Sequence, residues 1–114
     1  MCFNRNRGVV GRGTAWALVT GAAKGIGRQY AERLAMMGYN IYMIDIDPAI
    51  TTEALVISEQ HKVKCVGEVR DMSEVDAART LHSKTVAEGY VFDVVVNNAG
   101  IFSFCDILKT PLER

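Results

Sequence analysis

Long apolar runs, proline, paired cysteines and net charge are all scarce in this chain, and each shortage excludes something. No stretch approaches the ~18 uncharged apolar residues of a membrane helix, the longest pure runs being of the kind Val94-Val95-Val96. Two prolines and ten glycines in 114 residues rule out a collagen-like or proline-rich chain. The three cysteines, Cys2, Cys65 and Cys105, are odd in number and form no Cys-x-x-Cys pair, so neither a disulfide framework nor a zinc knuckle is expected. Reduced thiols in a cytoplasmic setting fit them best. The first eight residues carry arginines but no apolar h-region, which excludes a secretory signal; a short mitochondrial presequence is the lesser alternative. Thirteen basic and thirteen acidic side chains cancel, so no nucleic-acid footprint is expected. What is present is 49% hydrophobic and 23% charged residues, the balance of one small soluble domain.

Charge is unevenly placed. Residues 1–40 hold six Lys/Arg and one acid, and the remainder holds seven Lys/Arg and twelve acids. Residues 1–14, with Gly8, Gly11 and Gly13 and no periodicity, read as a flexible lead, and residues 15–114 as the folded part.

The folded part alternates. Ala15 to Thr20 is a short apolar run ending at Gly21, as in a strand buried on both faces. Ile26, Tyr30, Leu34 and Met37 recur at helical spacing and predict a helix with that face buried, closed by Gly38. Met36 and Met37 are expected to fill the core. Ile41 to Asp45 is a second strand, and Asp47-Pro48 predicts an N-cap with proline in the first helical position, for a helix to about Gln60. Val63 to Val69 is a third strand. Ser73 with Asp76 resembles a capping box for a helix to about Glu88, stopped by Gly89. Val91 to Val96 is a fourth strand, ending at Asn97. Trp16 and Cys65 read as packing residues, and His61 and His82 as surface histidines.

Strand-helix alternation implies a parallel sheet with right-handed crossovers, here the first half of a doubly wound Rossmann-like α/β domain with strand order 3-2-1-4. Ligands on such sheets sit beyond the carboxyl ends of the strands. Those ends hold Thr20-Gly21, Asp45, Asp71 and Asn97-Asn98. The fourth strand would form an edge, yet only Asp93 interrupts its apolar run, so the chain by itself is expected to self-associate.

Thr20-Gly21-Ala22-Ala23-Lys24-Gly25-Ile26-Gly27 follows a strand and opens a helix. Free N–H groups at a helix N-terminus attract phosphate, and glycines let backbone approach it. On the glycines by themselves an ordinary strand-to-helix turn competes, and no Gly-Lys-Ser/Thr follows to make a P-loop. The segment resembles the TGxxxGxG cofactor motif of the short-chain dehydrogenases/reductases, and Asn97-Asn98-Ala99-Gly100 resembles the family's NNAG motif at the family's separation. The resemblance covers residues 14–114. Trp16-Ala-Leu-Val-Thr-Gly with Tyr30-Ala-Glu is more loosely similar to the branch of hydroxysteroid dehydrogenases and long-chain ketoacyl reductases.

The resemblance implies a dinucleotide held by Gly21, Ala23, Lys24, Gly25, Ile26 and Gly27. It places Asp45 on the adenosine ribose, Asp71 and Met72 at the adenine, and Asn98, Ala99, Gly100 and Ile101 along the cofactor. Asn97 braces the sheet. Asp45 stands 18 residues beyond Gly27 and, with Asp47 accounting for the helix cap, is expected to be left free for the ribose hydroxyls. A carboxylate beside a 2′-phosphate has a direct Coulomb cost, which favours NAD. Lys24 resembles a basic residue of NADP-preferring members, so NADP is the alternative.

The family's chemistry is hydride transfer between the nicotinamide and a secondary alcohol or ketone, carried out with a Tyr-x-x-x-Lys pair. The residues four positions after Tyr30, Tyr39, Tyr42 and Tyr90 are Leu34, Met43, Ile46 and Val94, so no such pair occurs in the 114 residues and no catalytic residue is assigned. The chain by itself is therefore expected to be inactive. It reads as the dinucleotide-binding half of an oxidoreductase that acts on a small-molecule substrate as a homo-oligomer. A non-catalytic dinucleotide-binding or interaction module, or a truncated product, are the other readings.

Overall fold

Alternate residues along each central strand point to opposite sides, and both sides are apolar, so the sheet must be covered twice. The computed structural model, which describes Cys2–Phe3 and residues 14–98, realises this. In chain order the elements are β1 (Cys2–Phe3), β2 (Trp16–Thr20), α1 (Gly25–Met36), β3 (Asn40–Asp45), α2 (Ile50–His61), β4 (Cys65–Val69), α3 (Ala77–Ala87) and β5 (Phe92–Asn97). The sheet order is β1-β5-β2-β3-β4, with β5, β2, β3 and β4 mutually parallel. Counting strands from β2, this is the expected order 3-2-1-4.

One face buries Ala17, Val19, Ile41, Met43, Val94 and Val96 beneath α1 and α2. The other buries Leu18, Tyr42, Ile44 and Val95 against Met72, Ala77 and Leu81. Trp16 packs edge-on to Tyr90, as expected of a packing residue. Cys65 packs against the α1–α2 side as a small hydrophobe, and burial pushes its thiol up to about 11.

The structure corrects several expectations. Helix α1 keeps the predicted period but not the phase. It buries Gly27, Ala31, Leu34 and Ala35, and leaves Ile26, Tyr30, Met36 and Met37 exposed. At the first turn of the helix the reason is steric, since a Cβ at position 27 would stand 2.0 Å from Gly21 O and no larger side chain fits there. Helix α2 starts at Ile50, two residues after Pro48. Asp47 accepts the Ala49 N–H in the turn before it. Helix α3 starts at Ala77, and Ser73 is not its cap: Ser73 N–H and Oγ both bond Asp71 Oδ1, closing a separate turn ahead of the helix. Asp93 is no exposed edge guard. It sits at 8% exposure where the β2–β5 register shifts, and accepts the Trp16 N–H. The outer side of β5 is paired antiparallel by β1, Cys2 to Val95 and Phe3 to Val94, so two residues of the stretch read as a lead belong to the sheet.

A polar cluster ties α3 to the sheet. Tyr42 Oη donates to Glu68 Oε1 at 2.5 Å, Lys84 Nζ reaches the same oxygen at 2.9 Å and Tyr42 Oη at 3.1 Å, and Arg70 pairs with the other Glu68 oxygen. Burial acts to raise the Glu68 carboxyl, but these hydrogen bonds outweigh it and hold the group below its ordinary range. The contribution is therefore present above about pH 4.3 and lost as pH falls further. Burial, reinforced by Glu68, pushes Tyr42 up to about 12, so its contribution is lost as pH rises toward that value. Thermal melts from pH 3 to pH 11 should show stability declining at both ends. Glu68→Gln should flatten the acid limb; an acid limb unchanged in this variant would show that the cluster carries no such linkage.

Candidate functional site

The parallel register brings four strand exits to one edge of the sheet. Thr20 pairs with Ile44 on one side and with Asn97 on the other, while Asp45 pairs with Val69. The turns after β2, β3 and β4, with Asn98 directly after β5, therefore lie side by side, and they contain nearly every described residue the sequence singled out.

The turn after β2 is held from both flanks. Ala22 N–H donates to Ile44 O at 3.0 Å and Ala23 N–H to Asp45 Oδ2 at 2.9 Å. From the β5 side, Asn98 Nδ2 donates to Gly21 O at 3.3 Å. Beneath it Thr20 Oγ1 donates to Asn97 Oδ1 at 3.2 Å, the bracing role expected of Asn97. Gly25 has φ +63°, a conformation that suits glycine. Gly27 is where α1 crosses the turn, and a Cβ there would stand 2.0 Å from Gly21 O.

Helix α1 begins at Gly25 with Lys24 as N-cap, no side-chain cap and no acid in its first turn. The orphan N–H groups and the positive end of the helix dipole thus remain available to an anion. Lys24 and Ile26 are exposed beside them.

Asp45 is not left free, contrary to expectation. Besides Ala23 it accepts the Asp47 N–H on Oδ1 at 3.0 Å, and its own carbonyl accepts the Arg70 N–H at 3.0 Å. Asp47 closes the turn ahead of α2 and is not its N-cap, which is Ala49, and the carboxylate of Asp45 serves the backbone as well. Each carboxylate oxygen can accept a second hydrogen bond, so capacity for ribose hydroxyls remains. Asp71 is engaged too, and the Ser73 hydroxyl and then the Ser73 N–H hold its carboxyl below its ordinary value. Met72 is 5% exposed and packs in the α3-side core. Ala99, Gly100 and Ile101 lie outside the described residues.

Two contacts were not foreseen: Asp45 to Ala23 and Asn98 to Gly21. Their signal is the register of neighbouring strands, which places position 45 and position 98 beside the turn and is not visible along the sequence. The charged flank of α1 was also missed. Arg28 Nε donates to Glu53 Oε1 at 2.5 Å and His61 Nε2 lies 3.2 Å from Glu32 Oε2, so His61 joins α2 to α1. Among the described residues, no helix is long and apolar enough to cross a membrane.

Comparison with known proteins agrees with this geometry. A family model described as short chain dehydrogenase matches residues 15–114. A diacetyl reductase ((S)-acetoin forming) of Staphylococcus epidermidis is 37% identical over 98 residues, covering 86% of this chain and 38% of that protein. The structure of a bulky-bulky ketone specific alcohol dehydrogenase from Comamonas testosteroni superposes with TM-score 0.67 at 29% identity, covering 80% of this chain and 36% of the other. An L-sorbose reductase from Gluconobacter frateurii, in complex with NADPH and L-sorbose, gives TM-score 0.71 at 24% identity, covering 82% and 36%. The chain thus spans little more than a third of the length of these proteins.

Proposed function

This chain belongs to the short-chain dehydrogenase family of oxidoreductases, and we propose that it supplies the dinucleotide-binding part of an enzyme transferring hydride between a nicotinamide cofactor and a secondary alcohol or ketone. The observation that carries the proposal is the uncapped, acid-free start of α1, set directly after the glycine-rich turn and between Asp45 and Asn98. In this reading the N–H groups of the first turn, with Gly25, Ile26 and Gly27, hold the pyrophosphate. Lys24 adds positive charge at the rim. Asp45 takes the adenosine ribose, and Asp71 with the backbone of Met72 borders the adenine. Asn98, Ala99, Gly100 and Ile101 continue the wall. The bound dinucleotide would supply the hydride; the chain's own residues bind and orient it.

The carboxylate of Asp45 supports NAD over NADP, because a 2′-phosphate would add negative charge beside it. The residue after it, Ile46, is exposed and neutral, so it offers that phosphate no compensating cation. In a calorimetric titration of the chain, NADH should bind about tenfold or more tightly than NADPH. Equal or tighter binding of NADPH would overturn the preference, and binding of neither would overturn the reading itself.

A further inference from the structure

We infer that Asp45 is a positioning residue for the glycine-rich turn, acting on the phosphate end of the site through the Ala23 N–H as well as on the ribose directly; this rests on the dinucleotide reading above. Three backbone groups converge on this residue. Ala23 N–H reaches Oδ2 at 2.9 Å, Asp47 N–H reaches Oδ1 at 3.0 Å, and Arg70 N–H reaches the carbonyl at 3.0 Å. Asp45 therefore joins the turns that follow β2, β3 and β4. Asn98 completes the brace from β5 by holding Gly21 O.

The consequence is a coupling. Ala23 is buried and its N–H is taken by the carboxylate, so the anion donors are those that follow it in the first turn of α1. Their direction depends on where Ala23 is pinned, and Asp45 does the pinning. A side-chain change at position 45 that admits a 2′-phosphate would also release the turn that grips the pyrophosphate. Charge-assisted hydrogen bonds to backbone N–H groups are among the stronger ones, so this release should be measurable.

The test separates the two roles with two probes, ADP and 2′,3′-dideoxy-ADP, the second lacking both ribose hydroxyls. Each is titrated into the full chain and into its Asp45→Ala and Asp45→Asn variants, and amide exchange of Ala23 and Asp47 is followed by NMR. Asp45→Ala should weaken dideoxy-ADP about tenfold and speed Ala23 exchange by a similar factor. Asp45→Asn, with one acceptor oxygen for two amides, should lose less affinity and release only one of the two amides. If Asp45→Ala weakens ADP but leaves dideoxy-ADP unchanged, Asp45 touches the ribose only and the inference fails. If the unaltered chain binds neither probe, the dinucleotide reading fails instead, and the exchange arm still decides the brace. Should Asp45→Ala not fold, unchanged protection of both amides in Asp45→Asn would overturn the inference.

Discussion

Gly27→Ala is expected to cost about 3 kcal/mol of stability and to abolish dinucleotide binding, because the added methyl has nowhere to go. Its Cβ would lie 2.0 Å from Gly21 O, 2.8 Å from Gly21 C and 2.9 Å from Asn98 Nδ2. Two of those atoms are backbone and cannot swing aside. The remaining escape is for α1 to lift from the sheet, which would open the contacts of Ala31, Leu34 and Ala35. All three are buried, and two of them are alanines with no side-chain freedom to refill the gap. The comparator is Gly25→Ala. Gly25 has φ +63° but nothing within 4 Å of a Cβ, so that variant carries only the left-handed backbone cost of about 1–2 kcal/mol. Denaturant unfolding of both variants, with an NADH titration, checks the pair. A Gly27→Ala protein as stable as Gly25→Ala and still binding would show that the crossing is looser than described.

Leu81→Ala should destabilise by about 3 kcal/mol, within the 2–5 kcal/mol range for buried leucine truncation. Among the described residues α3 is the one helix on its face of the sheet, and its buried residues are Ala77, Leu81 and Thr85. Leu81, 1% exposed, is the only large aliphatic anchor among them. Thr85 contributes little adhesion, since its hydroxyl returns to Leu81 O at 2.9 Å within the same helix. The tie from Lys84 to Glu68 is a poor substitute, because Lys84 is 42% exposed and solvent screens its side of the pair. Against a typical total of about 5–15 kcal/mol, such a loss is large. The midpoint and slope of a urea transition report it. A loss below about 1 kcal/mol would mean that the polar cluster around Glu68, and not the aliphatic contact, seats α3.

The two variants also mark what could be read ahead of the structure. Strand and helix order, the winding 3-2-1-4 and the glycine-rich turn follow from local signals: apolar runs, helical spacing and punctuation by Gly21, Gly38 and Gly89. Helix phase does not. Ile26-Tyr30-Leu34-Met37 and Gly27-Ala31-Leu34-Ala35 share a period, and hydrophobicity favours the first. The approach distance of α1 to the turn selects the second, and a distance between elements is not a property of either stripe. The capping box at Ser73 failed for a related reason. The Ser73 N–H that a capping-box acid would accept goes instead to Asp71 Oδ1, which also takes the Ser73 hydroxyl proton, and the turn they close precedes the helix. The pairing of Cys2–Phe3 with Val94-Val95 joins positions more than ninety apart in a 114-residue chain, which no local pattern encodes.

What the sequence determined by itself is the identity of the groups at the site and the kind of ligand they suit. Glycines, a helix start without acids, and carboxylates and amides at strand exits are chemical facts of the chain, each written within a few residues. What the tertiary structure decided is how those groups share their hydrogen bonds. The parallel register of β3 and β5 on either side of β2 puts Asp45 on Ala23 and Asn98 on Gly21, so two residues expected at the ligand also brace the turn. The physical reason is that strands pair through backbone groups, which are identical at every residue, whereas the side chains that meet across the exits depend on the register packing selects.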